Sequence, residues 1–550
     1  MKSENAKKLV LLLIALSVGS IACSKKAGQG ISQNESSQLE KRFLRFQLSS
    51  EPEYIDPGLA SGVPETRVIL DLFSGLVQHS QKDGPVVPEM ATDWGISKDN
   101  LIYTFHLRKE AIWSDGRPVT AHDFVYAWER VLNPKTAAKY AYSMYPIQNA
   151  RDYNAGKITD PAVLGFKALD DHTLQVTLES PTPYFLDLLW YNAFKPVPSW
   201  VVEKFGPKWT QPEHIVSNGP FLLKSWTPYK EITLAKNPDY FEADQVKLPG
   251  VVFYPMEDKE TALKMYERGE IDIVWEVSVV KADALKGEEG YVQTPYLGSY
   301  FYRVQTKKPP LNDLRVRQAL SLAIDRDELV GKFLKNTMIP SINVVPEGLK
   351  GYERAEGIGF DPERAKRLLT EAGYSDPKTF PAISIHYNTD DRHKLIAQVV
   401  QQMWKKHLGI DVKLWNEEWK SYMKTQNLKN FEISRSGWIA DYPDPMTFLD
   451  LWTSDSTISH TSWSNTQYDT LIRNAMKETV TSKRYSLLRQ AEQIVLEEAP
   501  VIPIYTYTKI YLQKPYVKGY LPNREDMHPF KWVSLAEGEK SSELVAEEGK

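Results

Sequence analysis

The chain has 550 residues, too many for one ordinary hydrophobic core, so two to four domains are expected. With 42% hydrophobic residues, 25% charged residues and a net charge of −4, its composition is that of a soluble globular protein. A nucleic-acid footprint would be basic and clustered, and no such cluster is present.

Lys2, Lys7 and Lys8 precede the apolar run LVLLLIAL at residues 9–16, and small residues follow up to Cys23. That run is short for a bilayer span, and its layout is that of a secretory signal over 1–22. Ser20-Ile21-Ala22-Cys23 resembles a bacterial lipobox, in which the cysteine is acylated and becomes the mature N-terminus. The pattern prefers Leu where Ser20 stands. Cys23 is the only cysteine, so in an exported chain it has no disulfide partner, and it is expected to carry the lipid. Cleavage there removes three lysines and Glu4, taking the net charge from −4 to −6. Residues 23–42 are polar and rich in Gly, Ser and Gln, and read as a flexible stalk. No second apolar stretch reaches transmembrane length, so the body is expected to be tethered to the membrane rather than embedded in it.

Along the body, LIYTFHLRKEAIW places Tyr103, Phe105 and Leu107 at period two and predicts a strand. Asp115-Gly116 predicts a turn, and Thr120 with Asp123 a helix N-cap with its capping-box partner. His122 beside Asp123 lacks a third metal ligand at helical spacing, so a solvated helix start is the simpler reading. DDHTLQVTLES is a second alternating strand, ended by Pro181. Asp361-Pro362 opens a helix with Ala365, Leu368, Leu369 and Ala372 on one face, closed by Gly373. A longer helix runs from about Asp391 to Leu408 with Ile396, Val399, Val400, Met403 and Trp404 as its buried stripe. Gly409 ends it, and the strand IDVKLW follows. Helix and strand alternate through the C-terminal half, which argues an α/β lobe, whereas the N-terminal portion is richer in strands and turns. The segment GWIADYPDPMTFLD at 437–450 sets Asp441 and Asp444 among Trp438, Tyr442, Pro443 and Pro445, too proline-rich for helix or central strand. By itself it reads as a surface turn. The end, SLAEGEKSSELVAEEGK from Ser534, is acidic and is expected to be disordered over 536–550.

No G-x-x-x-x-G-K-[ST], strand-linked G-x-G-x-x-G, H-E-x-x-H or G-x-S-x-G occurs, and the ten histidines are scattered. No cofactor, metal site or catalytic residue is expected. An extracytoplasmic glycoside hydrolase is the surviving enzyme reading, because its paired carboxylates meet only in the fold.

Five stretches carry a resemblance: YTFHLRKEAIWSDGRPVTAHDFVYAWERVLNP (103–134), KALDDHTLQVTLESPTPYF (167–185), KFGPKWTQPEHIVSNGPFLLKSW (204–226), KKPPLNDLRVRQALSLAIDRDELV (307–330) and RSGWIADYPDPMTFLD (435–450). Over about residues 46–531 the chain closely resembles the oligopeptide-binding proteins of bacterial ABC importers, extracytoplasmic solute-binding protein family 5. The resemblance implies an α/β, two-lobed periplasmic-binding-protein-like fold with a third, strand-rich lobe inserted in the first. It places 43–74, 198–296 and 509–535 in lobe I, 75–197 in the extra lobe II and 297–508 in lobe III.

It also implies a peptide held as an added strand between lobes, read through its backbone and its two charged ends. Asp441 aligns with the residue that pairs with the ligand's α-ammonium. Backbone at Gly437 and Ile439 would form the strand the ligand extends, with Val63 at the matching strand position of the opposite lobe. Trp438 would line a pocket or support the loop from the core. Tyr140, in KYAYSM, aligns near the ligand's first residue, with packing as the alternative. Arg435 and His393 match residues that meet the ligand carboxylate; an ion-pair role for Arg435 and a helix-capping role for His393 stay open. Where familiar members carry a glutamate before GVPE, this chain has Ser61, so any preference for basic peptides tied to that acid is in doubt. Implied partners are short peptides, an ABC permease with its ATPase subunits, and the membrane through the N-terminal lipid, with the protein acting as a monomer. Same-fold receptors for dipeptides, murein peptide, nickel chelates or haem are the nearest alternatives, and an adhesin that has kept the fold is a third class.

Overall fold

The computed structural model of the chain describes residues 41–81, 84–456 and 458–536. The signal segment, Cys23, the stalk up to residue 40 and the tail from 537 lie outside the described residues.

Eleven strands build one long mixed sheet. In chain order its main strands are β1 (Leu44–Leu48), β2 (Phe221–Thr227), β3 (Glu231–Lys236), β4 (Gly250–Pro255), β5 (Ile273–Val274), β6 (Tyr291–Val304), β7 (Ile383–Asn388), β8 (Val412–Glu417), β9 (Ile433–Ile439) and β10 (Val501–Gln513). Their order across the sheet is β8-β7-β9-β6-β10-β5-β1-β4-β3-β2, with Ile339–Pro340 added against β10. β1 lies parallel to β4 and β5, and β7 parallel to β8 and β9; parallel neighbours need crossover connections, here carried largely by helices. The two ends of the sheet serve two lobes, joined through β6 and β10.

These two long antiparallel strands pair from Tyr291↔Leu512 to Pro295↔Thr508, then again from Ser299↔Thr506 to Arg303↔Val501, with an irregularity between. Gly298 sits in that irregularity. A Cβ there would meet Ile439 Cδ1 at 2.4 Å and Tyr507 Cδ2 at 3.0 Å, so the missing side chain lets the end of β9 approach.

The strand-rich unit is a separate four-stranded antiparallel sheet, Ala91–Ile96, Ile102–Leu107, Thr173–Thr177 and Phe166–Asp170 in spatial order. Tyr103, Phe105 and Leu107 are buried as their period requires. α1 (Val63–Leu72) precedes this unit, and α2 (Ala121–Leu132) packs on it, opened by the expected Thr120–Asp123 capping box. α3 (Pro362–Glu371), α4 (Asp391–Leu408) and α5 (Trp419–Asn427) serve the other end of the sheet. α4 buries the expected stripe, and Gly409 ends it at φ 74°. Around it Tyr300, Tyr302, Val400 and Trp404 share one core. The chain is therefore α/β, two-lobed, with a third strand-rich unit.

Two expectations need correction. Val63 is the first residue of α1 and not a strand residue: Pro64 fixes a helical φ at the first turn, and only Gly62 before it is extended. Arg42, counted in the stalk, is tied to the body through Asp272 at 2.9 Å. Ser534–Leu535, the last residues assigned to lobe I, pair with Val517–Lys518, and Leu535 is buried.

Candidate functional site

A cavity of about 330 Å³ lies where the lobes meet. α1 contributes Val63 and Thr66, the strand-rich unit Tyr140, Tyr142, Asp187 and Tyr191, the β6 irregularity Tyr296, and the end of β9 with its following turn residues 437–441. Glu525, Asp526 and Met527 complete one wall.

The segment 437–450 divides its three acids between different tasks. Asp444 is buried and bonded at both oxygens by the Arg484 guanidinium, at 2.6 and 2.7 Å, while accepting from the backbone N–H of Met446. It anchors the turn. Asp441 instead lines the cavity. Its backbone N–H donates to Thr447 Oγ1 (3.3 Å), and its carboxylate accepts from the Tyr142 hydroxyl (3.3 Å), which belongs to the strand-rich unit. No Lys, Arg or His of the described residues lies within ion-pair distance of that carboxylate. Burial pushes the Asp441 carboxyl up to about 7, and the Tyr142 bond offsets little of that. Asp450 behind it is likewise held up at about 7 by burial, then by the charges of Asp441 and Asp444.

Asp526, in the same cavity, is the opposite case. Arg67 (2.7 Å), Lys509 (3.3 Å), His528 (3.1 Å) and the Trp275 indole N–H (2.9 Å) all meet its carboxylate. Burial alone raises such a group, but the charges of Arg67 and Lys509, helped by the His528 hydrogen bond, win and hold it well below the usual carboxylate range. One acid of the cavity is thus compensated by the protein and Asp441 is not.

The edge of β9 is open beyond Ser434. β7 pairs with β9 only at Ile385↔Ile433 and His386↔Ser434, and on that side α5 caps the Arg435 carbonyl with Gln426 Nε2 (2.9 Å) and the Tyr422 hydroxyl. Ala440 N–H points the other way, to Leu297 O (2.8 Å) in β6. The two-residue period of a strand then sets the N–H and C=O of Gly437 and Ile439 along the open side, and those of Trp438 along β6. A Cβ on Gly437 would meet the Tyr507 hydroxyl at 2.7 Å, so that glycine is required by protein packing in its own right. Trp438 lines the cavity while packing against the core and donating to Thr447 Oγ1 at 3.2 Å.

Tyr140 packs at a tilt of 39° against Tyr191, ring centroids 4.8 Å apart, and lines the cavity beside Tyr142. Burial and then the charge of Asp441 hold its hydroxyl above the ordinary tyrosine value. Sequence reasoning chose Tyr140 from KYAYSM and missed Tyr142, the one that bonds Asp441; the alternation of the two tyrosines was the available signal.

Arg435 projects from β9 against the Tyr300 ring (5.0 Å) and donates to Asn388 Oδ1 (3.2 Å) and the Tyr507 hydroxyl (3.1 Å). Its Nε is buried without a partner, and no carboxylate among the described residues pairs with it. His393 is buried one step away. Asp390 caps α4 by accepting from the His393 backbone N–H (3.0 Å), so the imidazole itself is not the cap. Burial, then the Arg435 charge, pull the ring down to about 3 despite Asp390 at 3.7 Å. Desolvation outweighs that long contact, and His393 is neutral near pH 7. It can offer an N–H but no charge. At the rim, Ser61 accepts from Lys139 Nζ at 3.3 Å.

Comparison with known proteins agrees with this fold. The family model described as bacterial extracellular solute-binding proteins, family 5 (middle region), matches residues 85–460. The periplasmic oligopeptide-binding protein OppA of Escherichia coli is 39% identical over 523 residues, covering 92% of this chain and 94% of its own. Among solved structures, the E. coli murein tripeptide binding protein MppA superposes with a TM-score of 0.79 at 37% identity, over 91% of this chain and 99% of that one. Haemophilus influenzae OppA in complex with RPPGFSPFR gives 0.76 at 33% identity, over 90% and 99%.

Proposed function

Because the chain belongs to the bacterial extracellular solute-binding proteins of family 5, a family of binding proteins, we propose that it captures short peptides with free ends between its lobes. The observation that carries this reading is the Asp441 carboxylate, desolvated in the cavity without a cation, beside an open strand edge. An α-ammonium paired with Asp441 removes that imbalance, and a peptide backbone pairs with Gly437 and Ile439 as an added strand. Val63 contributes from the start of α1, where helical backbone N–H groups lack intrahelical partners. The uncompensated Arg435 guanidinium takes the ligand carboxylate, with neutral His393 as a hydrogen-bond donor beside it. Tyr140 and Trp438 flank the first residue.

Such recognition reads groups every free peptide shares, so mixed sequences bind while capped ends are refused. Lobe I (43–74, 198–296, 509–535), extra lobe II (75–197) and lobe III (297–508) close on the ligand by motion about β6 and β10. Closure favours docking on an ABC permease driven by its ATPase subunits, and Cys23 tethers the body to a bacterial membrane by its lipid. Among the described residues no helix is long and apolar enough to cross a membrane. The role is capture and delivery, with no covalent step.

Native mass spectrometry of co-purifying ligand tests the reading. Short peptides of mixed sequence with free amino ends support it; a metal, or one defined non-peptide ligand, overturns it.

A further inference from the structure

We propose that Arg303 and His460, with the Trp452 indole beside them, form a site for one small monovalent anion of halide size, apart from the cavity between the lobes.

Arg303 stands on β6, paired with Ser434 of β9 and Val501 of β10, while its neighbour Tyr302 pairs with Arg435. Cross-strand partners share a face and successive residues alternate, so Arg303 and Arg435 emerge on opposite faces of the sheet. Arg303, Trp452 and His460 are not among the residues lining the cavity. Arg303 is 4% exposed. Among the described residues its guanidinium makes one hydrogen bond, a long one from Nη1 to the neutral Gln426 amide oxygen at 3.3 Å, and its Nε is buried without an acceptor. No carboxylate of the described residues pairs with it. Burial pulls the guanidinium down to about 10, opposed by the Tyr422 hydroxyl and reinforced by the Arg435 charge. It therefore stays charged at neutral pH, a desolvated cation with no counter-charge, which is costly unless paired.

Two more donors gather around it. Phe301, two residues back on the same face, has its ring 5.9 Å from the Arg303 guanidinium carbon and 5.4 Å from the Trp452 ring. Trp452 Nε1 is buried and has no acceptor. The segment carrying His460 is tied to the end of β6, where Gln305 Nε2 donates to the His460 carbonyl (3.2 Å) and the Thr306 N–H to the Thr461 carbonyl (3.0 Å). His460 is held at φ 56°, a left-handed backbone uncommon outside glycine, and its Nδ1 is buried without a partner. Burial, then the charges of Arg303 and Lys429, pull the imidazole down to about 4, so the ring is neutral and able to donate from Nδ1.

The surroundings are thus positive and rich in unanswered N–H groups. A cation is repelled by Arg303. A water answers hydrogen bonds, including that of Gln305 Oε1, which also lacks a donor, but leaves the guanidinium charge unpaired. One halide needs about the room of a water and supplies both the charge and an acceptor for several N–H groups. Bound there, it pins the segment around Trp452 and His460 to β6 and stabilises the folded chain by mass action.

Denaturant unfolding with sodium chloride replacing sodium gluconate at constant ionic strength tests this, together with anomalous diffraction from crystals soaked in sodium bromide. Chloride at about 100 mM is expected to raise the folding equilibrium constant about tenfold over gluconate, the response of a site with a dissociation constant of about 10 mM. Bromide is expected within hydrogen-bond distance of Arg303 and His460. Arg303→Met is expected to lose the chloride response. Equal stability in the two salts overturns the inference, as does a water at that position with no anomalous signal. A bromide there without chloride-dependent stability is an adventitious ion only and overturns it too, as does a chloride response that survives Arg303→Met. Should Arg303→Met not fold, Trp452→Phe keeps a ring against Phe301 and drops the N–H; it is expected to weaken chloride about tenfold, and an unchanged response refutes the site. Peptide capture stands or falls separately from all of these outcomes.

Discussion

Replacing Asp441 by Asn keeps the shape of the side chain and removes its charge. The carboxyl is pushed from an ordinary 3.8 to about 7 by burial. At ~1.4 kcal/mol per factor of ten in proton affinity, that corresponds to about 4 kcal/mol of unfavourable ionisation, and roughly half that after screening from the open side of the cavity. A folded-state value above the unfolded one means the folded chain holds the proton longer, so stability falls as pH rises from about 4 to 7. Asp441→Asn is therefore expected to be more stable than wild type by about 1–2 kcal/mol at pH 8 in denaturant titrations, with the gap closing by pH 4. The same change removes the ammonium's partner and is expected to weaken a free-amine tripeptide at least ~30-fold at pH 8. N-acetylation supplies the other half of the cycle: wild type should discriminate against the acetylated peptide by a similar factor, and Asp441→Asn should not. In wild type at pH 6, binding the ammonium should release close to one proton, seen by calorimetry in buffers of different ionisation enthalpy. Tripeptide affinity within threefold of wild type, or a variant less stable than wild type at pH 8, refutes the reasoning.

Asp444→Asn, three residues along, is expected to act in the opposite sense, destabilising by about 3–5 kcal/mol because it leaves the buried Arg484 guanidinium unpaired; urea denaturation at pH 7 measures it. Gly298→Ala places a Cβ 2.4 Å from Ile439 Cδ1 and 3.2 Å from the Trp438 carbonyl oxygen. Displacing the end of β9 should cost about 1–3 kcal/mol of stability, and tripeptide affinity should fall with it. Arg435→Gln should abolish preference for a free-acid over a C-amidated tripeptide, expected at about 10-fold or more in wild type. His393→Gln should change that preference less than threefold, since the ring carries no charge near pH 7.

Local pattern was legible where one physical rule decided it. The Thr120–Asp123 box, the stripe of α4 and its Gly409 stop, and the buried Tyr103-Phe105-Leu107 face each follow from short-range period or capping, and each is present. Val63 was misjudged because resemblance suggested a strand partner while the local rule, Pro at the start of a helix, pointed elsewhere. The difference between Asp441 and Asp444 was not legible at all. Both are aspartates in the same proline-rich turn, and only the arrival of Arg484, 40 residues on, neutralises one and leaves the other. Tyr142 escaped for the same reason: its partner is 299 residues away, so no window of sequence contains the contact. His393 looked like a cation by residue type, but its protonation is set by burial and by Arg435, neither visible in the chain order.

On the proposed reading, the cavity's charge pattern would let a receptor that reads only shared peptide groups hold its ligand tightly. Main-chain pairing along Gly437 and Ile439 is indifferent to side chains, and each such bond contributes only about 1 kcal/mol net. On that reading most of the affinity would come from charges the protein leaves unsatisfied at Asp441 and Arg435, which would cost stability until a ligand end arrives. The protein shows close by that it can avoid that cost: Asp526 and Asp444 are each given their own cations, a few side chains away. Of the three aspartates in residues 437–450, Asp444 has a cation and Asp441 and the buried Asp450 do not, and Asp441 is the one that faces the cavity. An accidental packing defect has no reason to coincide with the open edge of β9, whereas a site that binds both ends of an extended chain requires it there.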